Sequence, residues 1–208
     1  MLYFLDLLGT FAFAITGAYR GKMAKLHIFG VIFLGVITAV GGGTIRDLII
    51  DRVPLFYIGD LNYILVCLIA GILIYIIPTF FKKAYSFFRL MDSIGLASFV
   101  IIGVSATFNQ LFSWNPNLNI LSLLACVFLG MLTGFGGGII RDSIMGGGAP
   151  MSLRQGSNYA LSAFLGSLSF YLLMFVNIQL AIVISFLTTL ILREFFSKYG
   201  IYSKIIKK

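Results

Sequence analysis

Phe33-Leu34-Gly35-Val36-Ile37-Thr38-Ala39-Val40-Gly41-Gly42-Gly43-Thr44-Ile45-Arg46-Asp47-Leu48-Ile49 returns later in the chain as Phe128-Leu129-Gly130-Met131-Leu132-Thr133-Gly134-Phe135-Gly136-Gly137-Gly138-Ile139-Ile140-Arg141-Asp142-Ser143-Ile144. Eleven of the seventeen positions are identical. The correspondence continues outward on both sides. Asp6, Gly9, Phe13 and Gly17 are spaced like Asp92, Gly95, Phe99 and Gly103, and Pro54, Asn62 and Tyr63 are answered by Pro150, Asn158 and Tyr159. Shared composition alone does not preserve such spacings, so the chain is an internal duplication.

The duplicated unit belongs in a bilayer. Mean hydropathy is +1.03 over 208 residues and only 11% are charged, against about 25% in a soluble domain. A spanning helix needs about 20 mainly apolar residues. Seven windows supply them, at about 2–19, 28–49, 61–81, 90–112, 120–144, 157–176 and 178–196. The runs are continuously apolar and twice the length of a barrel strand, which excludes a β-barrel. The connections are too short for a soluble domain. The expectation is therefore an all-α integral membrane protein, one transmembrane domain over 1–208, with repeat one at about 2–81, repeat two at about 90–176, helix seven at about 178–196 and a basic cytoplasmic tail at 197–208.

Each repeat contains three spans, an odd number, so the second copy enters the membrane from the opposite side and the two form an inverted pair. Basic residues mark the cytoplasmic face. Seven spans place thirteen Lys and Arg on one face and leave Arg46 and Arg52 on the other. The expected orientation is N-terminus outside, C-terminus cytoplasmic. The tail, with Lys198, Lys204, Lys207 and Lys208, reads as a topology determinant beside anionic lipid rather than a nucleic-acid patch.

Spans 2 and 5 are each interrupted by three glycines, Gly41-Gly42-Gly43 and Gly136-Gly137-Gly138. Each glycine costs roughly 1 kcal/mol against alanine in a helix, and a broken helix survives in lipid only where protein or a water-filled cavity satisfies its backbone. The triplets, equivalent under the inversion, are read as functional breaks. Isolated glycines such as Gly35 and Gly71 are read as packing positions. Carbonyls of Gly41, Gly42, Gly136 and Gly137, freed at such breaks, are the expected ligands of a cation near the midplane.

Ionisable residues inside spans mark a pathway or a partner. Asp6 with Arg46, and Asp92 with Arg141, sit at matched depth near opposite faces, and each is read as a pair. Asp47 and Asp142 adjoin their arginines, do not face them on a helix, and are left to water or a helix end. The alternative is that all six snorkel at the headgroups. Trp114, Tyr57, Tyr63, Tyr85, Tyr159 and Tyr199 fit an interfacial aromatic belt. His27 is expected to be solvated, and Gly146-Gly147-Gly148 to be a flexible turn. Cys67 and Cys126 lie in apolar runs, so no disulfide framework or zinc cluster is expected. No nucleophile, His and carboxylate set exists for an enzyme.

Two copies of Gly-Gly-Gly-x-x-Arg-Asp, at Gly41 to Asp47 and Gly136 to Asp142, in a seven-span chain of inverted three-span repeats resemble the prokaryotic branch of the trimeric intracellular cation (TRIC) channel family. That branch is also catalogued as a glycine transporter family. The resemblance implies a homotrimer in the prokaryotic inner membrane, with one ion path per protomer between kinked second and fifth helices, and potassium as the main permeant ion. It implies membrane lipids as surroundings, no cofactor beyond permeant monovalent cations, and no soluble partner. The Lys-Glu-Val element of animal members is not evident here. The alternative function is a secondary transporter of a small solute such as glycine, which inverted repeats also suit.

Overall fold

The computed structural model describes residues 1–76, 85–113, 119–146, 148–150, 153 and 158–199. Every described apolar run is α-helical: α1 Leu2–Met23, α2 Ile28–Ile49, a single turn α3 Phe56–Gly59, α4 Asn62–Ile76, α5 Tyr85–Phe112, α6 Ile120–Met145, α7 Tyr159–Leu173 and α8 Ile178–Tyr199. Expectations that rest on Lys82, Lys83, Trp114, Gly147, Arg154, the side chains of Tyr85, Lys198 and Tyr199, and the tail from residue 200 onward lie outside the described residues.

Five helices, α1, α2, α5, α6 and α8, are long and apolar enough to cross a membrane. The chain is thus an all-α, multi-pass membrane protein. Seven spans are the expectation; among the described residues five reach spanning length, and the shorter apolar helices α4 and α7 stand at the other two positions. α7 has fifteen residues, about 22 Å at 1.5 Å per residue, short of the roughly 30 Å hydrocarbon core, and the described part of α4 has fifteen residues up to Ile76, the last described residue before 85. In α7 the cause is local. It starts only after Asn158, held in the left-handed conformation, and the turn after Leu173 leads into Asn177. The Asn177 carboxamide accepts the Gln179 and Leu180 amides at 2.9 and 3.1 Å and so starts α8.

Other caps set the remaining boundaries. His27 Nδ1 accepts the Gly30 amide at 3.2 Å and opens α2, so its work is capping rather than solvation alone. Asn119 accepts the Leu121 amide at 3.1 Å and opens α6.

The inversion is visible in the packing. Within repeat one α1 packs on α2 and α4, and α2 on α4; within repeat two α5 packs on α6 and α7, and α6 on α7. The halves join through α1 against α5 and α2 against α6, while α8 lies against α5 and α7. The α1–α5 joint sets a glycine of each copy under a phenylalanine of the other. A Cβ at Gly9 would lie 3.0 Å from the Phe99 ring, and one at Gly95 would strike the Phe13 ring. The two rings meet edge to face, centroids 5.2 Å apart, where the repeats interlock. Without water to drive helices together in lipid, such close van der Waals contact is what holds them. Large apolar side chains face outward instead, among them the repeat-equivalent Phe33 and Phe128, 61% and 62% exposed.

Candidate functional site

The glycine triplets do not break their helices. α2 runs through Gly41 to Gly43 and α6 through Gly136 to Gly138 as continuous α-helix. The expected breaks, and with them unwound carbonyls at Gly41, Gly42, Gly136 and Gly137 to hold K⁺, are therefore absent. The physical reason lies on the facing helix. A Cβ on Gly42 would run into the Thr133 carbonyl oxygen, and one on Gly137 into the Thr38 carbonyl oxygen. A Cβ on Gly136 would lie 3.1 Å from the Gly42 Cα. The triplets are where α2 and α6 cross backbone to backbone, and Thr38 and Thr133 are equivalent residues of the two copies. Outside the crossing, Gly43 makes room for the Phe56 ring, whereas Gly138 faces only the Arg141 guanidinium, at 3.7 Å.

All six ionisable positions are located. Arg46 and Asp47 are almost fully buried and clasp each other, Nε donating to Oδ1 at 2.9 Å; Arg141 and Asp142 do the same at 2.9 Å. The expectation that adjacent residues must look elsewhere fails because the arginine stem is long enough to fold its head back over the neighbouring carboxylate. Asp47 also accepts the Phe56 amide at 3.1 Å, which ties α3 to α2. All four side chains are buried and paired within the protein.

The two ends diverge at the first-helix carboxylates. Arg141 donates to Asp92 Oδ1 at 3.1 Å and to Thr16 Oγ1 at 3.1 Å, joining α6, α5 and α1. Asp6 has no such arginine. It accepts the Tyr63 hydroxyl at 2.8 Å, and among the described residues it makes no ion pair. The pairing expected in both repeats is thus present in repeat two and absent in repeat one.

Each carboxylate looks into a cavity. Asp6 lines one of about 390 Å³ with Tyr3, Arg52, Tyr63, Ser105, Asn109 and Gln110. Asp92 lines one of about 210 Å³ with Thr16, Arg20, Arg89, Arg141 and Arg193. The two are repeat equivalents. Leu2, Tyr3 and Asp6 in one answer Phe88, Arg89 and Asp92 in the other, and Ile102, Ser105, Ala106 and Asn109 answer Thr16, Tyr19, Arg20 and Met23. On α1 the cavities are bounded by Asp6 and Thr16, about 15 Å apart at the helical rise. Phe13 and Phe99, both buried, fill the stretch between them.

The sequence reading missed the roles of four residues, Thr16, Tyr63 and Arg193 in the cavity walls and Tyr159 behind Arg193. Tyr63 and Tyr159 are buried inside the protein, one bonded to Asp6 and the other lying under the Arg193 guanidinium at 4.5 Å. Their repeat-matched positions were the available signal. Thr16 and Arg193 carried none, because Thr16 matches an isoleucine and Arg193 lies in the unrepeated helix.

A family model described as Glycine transporter matches residues 3–79 and 89–175, one stretch per repeat. The inner membrane protein YadS of Escherichia coli K12 is 34% identical over 197 residues, covering 93% of this chain and 90% of the relative. The membrane protein YvgT of Bacillus subtilis is 35% identical over 166 residues, covering 79% and 76%. Among solved structures, the TRIC trimeric intracellular cation channel orthologue from Rhodobacter sphaeroides superposes with TM-score 0.83 at 28% identity, covering 96% of this chain and 97% of that one. Another TRIC cation channel structure gives TM-score 0.77 at 29% identity, covering 91% and 89%.

Proposed function

We propose that this chain, which belongs to the family described as Glycine transporter and to the branch it shares with prokaryotic TRIC channels, is a cation channel of the prokaryotic inner membrane. It conducts K⁺ as its main ion, assembles as a homotrimer, and holds one path in each protomer. Its N-terminus lies outside and its C-terminus in the cytoplasm. The observation that carries the reading is the pair of repeat-equivalent cavities, one at each end, closed off from each other by the packed centre.

At the Asp6 end a carboxylate without an ion-pair partner, beside the side chains of Asn109, Gln110 and Ser105, supplies oxygens and negative charge to an entering monovalent cation. Between the cavities Phe13 and Phe99 occlude the path, so conduction requires the two repeats to move against each other. The glycine crossing of α2 and α6 is the joint about which they do so: Gly42 and Gly137 lie against the opposite backbone, so few side chains, Ile140 over Gly41 among them, have to give way when the helices slide. In this reading Gly41 to Gly43 and Gly136 to Gly138 serve the path as a hinge rather than as carbonyl ligands.

A second reading has its own support. Inverted repeats with alternate end cavities suit a carrier of a small solute, and the family description names glycine. Flux into liposomes holding purified protein separates them. Rapid, uncoupled K⁺ uptake without saturable glycine uptake is the expected result; saturable glycine uptake without K⁺ conductance overturns the channel.

A further inference from the structure

The cavity at the Asp92 end carries a surplus of positive charge that the other end lacks. Four arginines line it, and three carboxylates among the described residues answer them. Arg141 is held by Asp92 at 3.1 Å and Asp142 at 2.9 Å, Arg20 reaches Asp142 at 3.8 Å, and Arg89 pairs with Glu194 at 3.2 Å. Arg193 is the least satisfied of the four. Its nearest carboxylate oxygen, Asp92 Oδ2, is 4.0 Å away, a long contact to a carboxylate whose Oδ1 already binds Arg141 at 3.1 Å. The Arg193 side chain is 3% exposed, and its buried Nε has no hydrogen-bond partner. The Tyr159 face at 4.5 Å supports the guanidinium but accepts none of its protons in the plane of the fork.

A buried guanidinium with an unused donor, in a cavity inside a membrane protein, calls for negative charge. The room is there: about 210 Å³ against roughly 30 Å³ per water in the liquid, enough for a small anion with part of its hydration shell. The half-exposed Arg20 borders the mouth and gives it an electropositive entrance.

We propose that this cavity is a binding site for a small inorganic anion of the chloride class, held by Arg193 with Arg141 and Arg20 as its cationic wall. Arg193 comes from α8, the helix outside the repeats, which is why the equivalent cavity at the Asp6 end has no counterpart. Bound there, the anion cancels the charge that would otherwise oppose a cation at this end. That consequence rests on the channel reading; the binding itself does not.

The test is a binding measurement without flux. Purified full chain in detergent is heated at fixed K⁺ and ionic strength while chloride replaces lactobionate, a disaccharide acid too bulky for the cavity. Unfolding is followed with a thiol-reactive fluorophore at the buried Cys67 and Cys126. The unfolding midpoint is expected to rise saturably with chloride. Arg193→Gln should abolish the dependence. Glu194→Gln, which leaves Arg89 unpaired at a partly exposed position, should lower the half-saturating chloride by at least about three-fold. A flat wild-type response, a chloride dependence retained in Arg193→Gln, or an unshifted half-saturation in Glu194→Gln overturns the site. So does stabilisation by phosphatidylglycerol with no chloride response, which would assign the cavity to a lipid headgroup.

Discussion

Alanine at Gly137 and alanine at Gly138, one residue apart, should have opposite effects. At Gly137 the new methyl group is driven into the Thr38 carbonyl, with the carbonyl carbon only 3.0 Å away. Ordinary contact needs roughly 3.5 Å. The obstacle is backbone, so no rotamer change relieves it, and α2 and α6 must part at their crossing. Overpacking of this kind costs about 1–3 kcal/mol, and the helix preference of alanine over glycine returns roughly 1 kcal/mol. A backbone obstacle puts the cost at the upper end, for a net loss of about 1–2 kcal/mol. At Gly138 the nearest atom is an Arg141 guanidinium nitrogen at an ordinary 3.7 Å, so alanine keeps its helix preference and stabilises by up to about 1 kcal/mol. The two variants should differ by about 2–3 kcal/mol, or roughly 5–10 °C in unfolding midpoint for a chain of this size. Thermal unfolding of both proteins in one detergent, read through the two buried cysteines, measures it. If the triplets were helix breaks, alanine would heal either position equally; equal shifts of the same sign would refute the crossing as their structural role.

Three further outcomes follow from the charges. Asp6→Asn removes the carboxylate that faces the larger cavity while keeping its bond from Tyr63, so K⁺ flux into liposomes should fall about two- to ten-fold with the unfolding midpoint little changed; unchanged flux removes Asp6 from the path. Arg141→Gln strips the shared partner from buried Asp92 and Asp142 and should cost about 3–5 kcal/mol of stability, measured by the same thermal assay; a loss below 1 kcal/mol would mean the network does not hold α1, α5 and α6 together. At the Asp6 end, Tyr3 donates to Asp60 at 2.6 Å, and this bond, with the Asn62 amide, holds the Asp60 carboxyl below its usual range. A carboxyl lowered on folding stabilises above its unfolded value, and the benefit disappears as pH falls through the lowered one. Tyr3→Phe should therefore unfold below wild type at neutral pH and converge with it on acidification; a gap independent of pH would show that the bond is not the cause.

Inversion was legible because it needs only identity at fixed spacing and an odd number of spans. What the glycines do with that inversion was not. Three glycines lower helix propensity whether the chain unwinds there or lies against another backbone, and the difference resides in the partner. That partner is the Thr38 carbonyl for Gly137 and the Thr133 carbonyl for Gly42, each supplied by the opposite copy, so it appears only once spans 2 and 5 are laid across each other. The Arg-Asp clasps were missed for a different reason. Helical spacing describes where side chains start, whereas the arginine head ends several bonds away and can return to its neighbour. The unequal fates of Asp6 and Asp92 have a cause that the sequence contains but repeat matching conceals. Thr16, whose hydroxyl accepts from Arg141 and steadies it toward Asp92, corresponds to Ile102 at the other end, which offers no acceptor. Arg46 accordingly stays with Asp47 and Phe56, and Asp6 turns to Tyr63 and the cavity. Where duplicated halves differ at one polar residue, the symmetric charges around it take different partners, and here that difference leaves a carboxylate without an ion pair at one end and an arginine-rich cavity at the other.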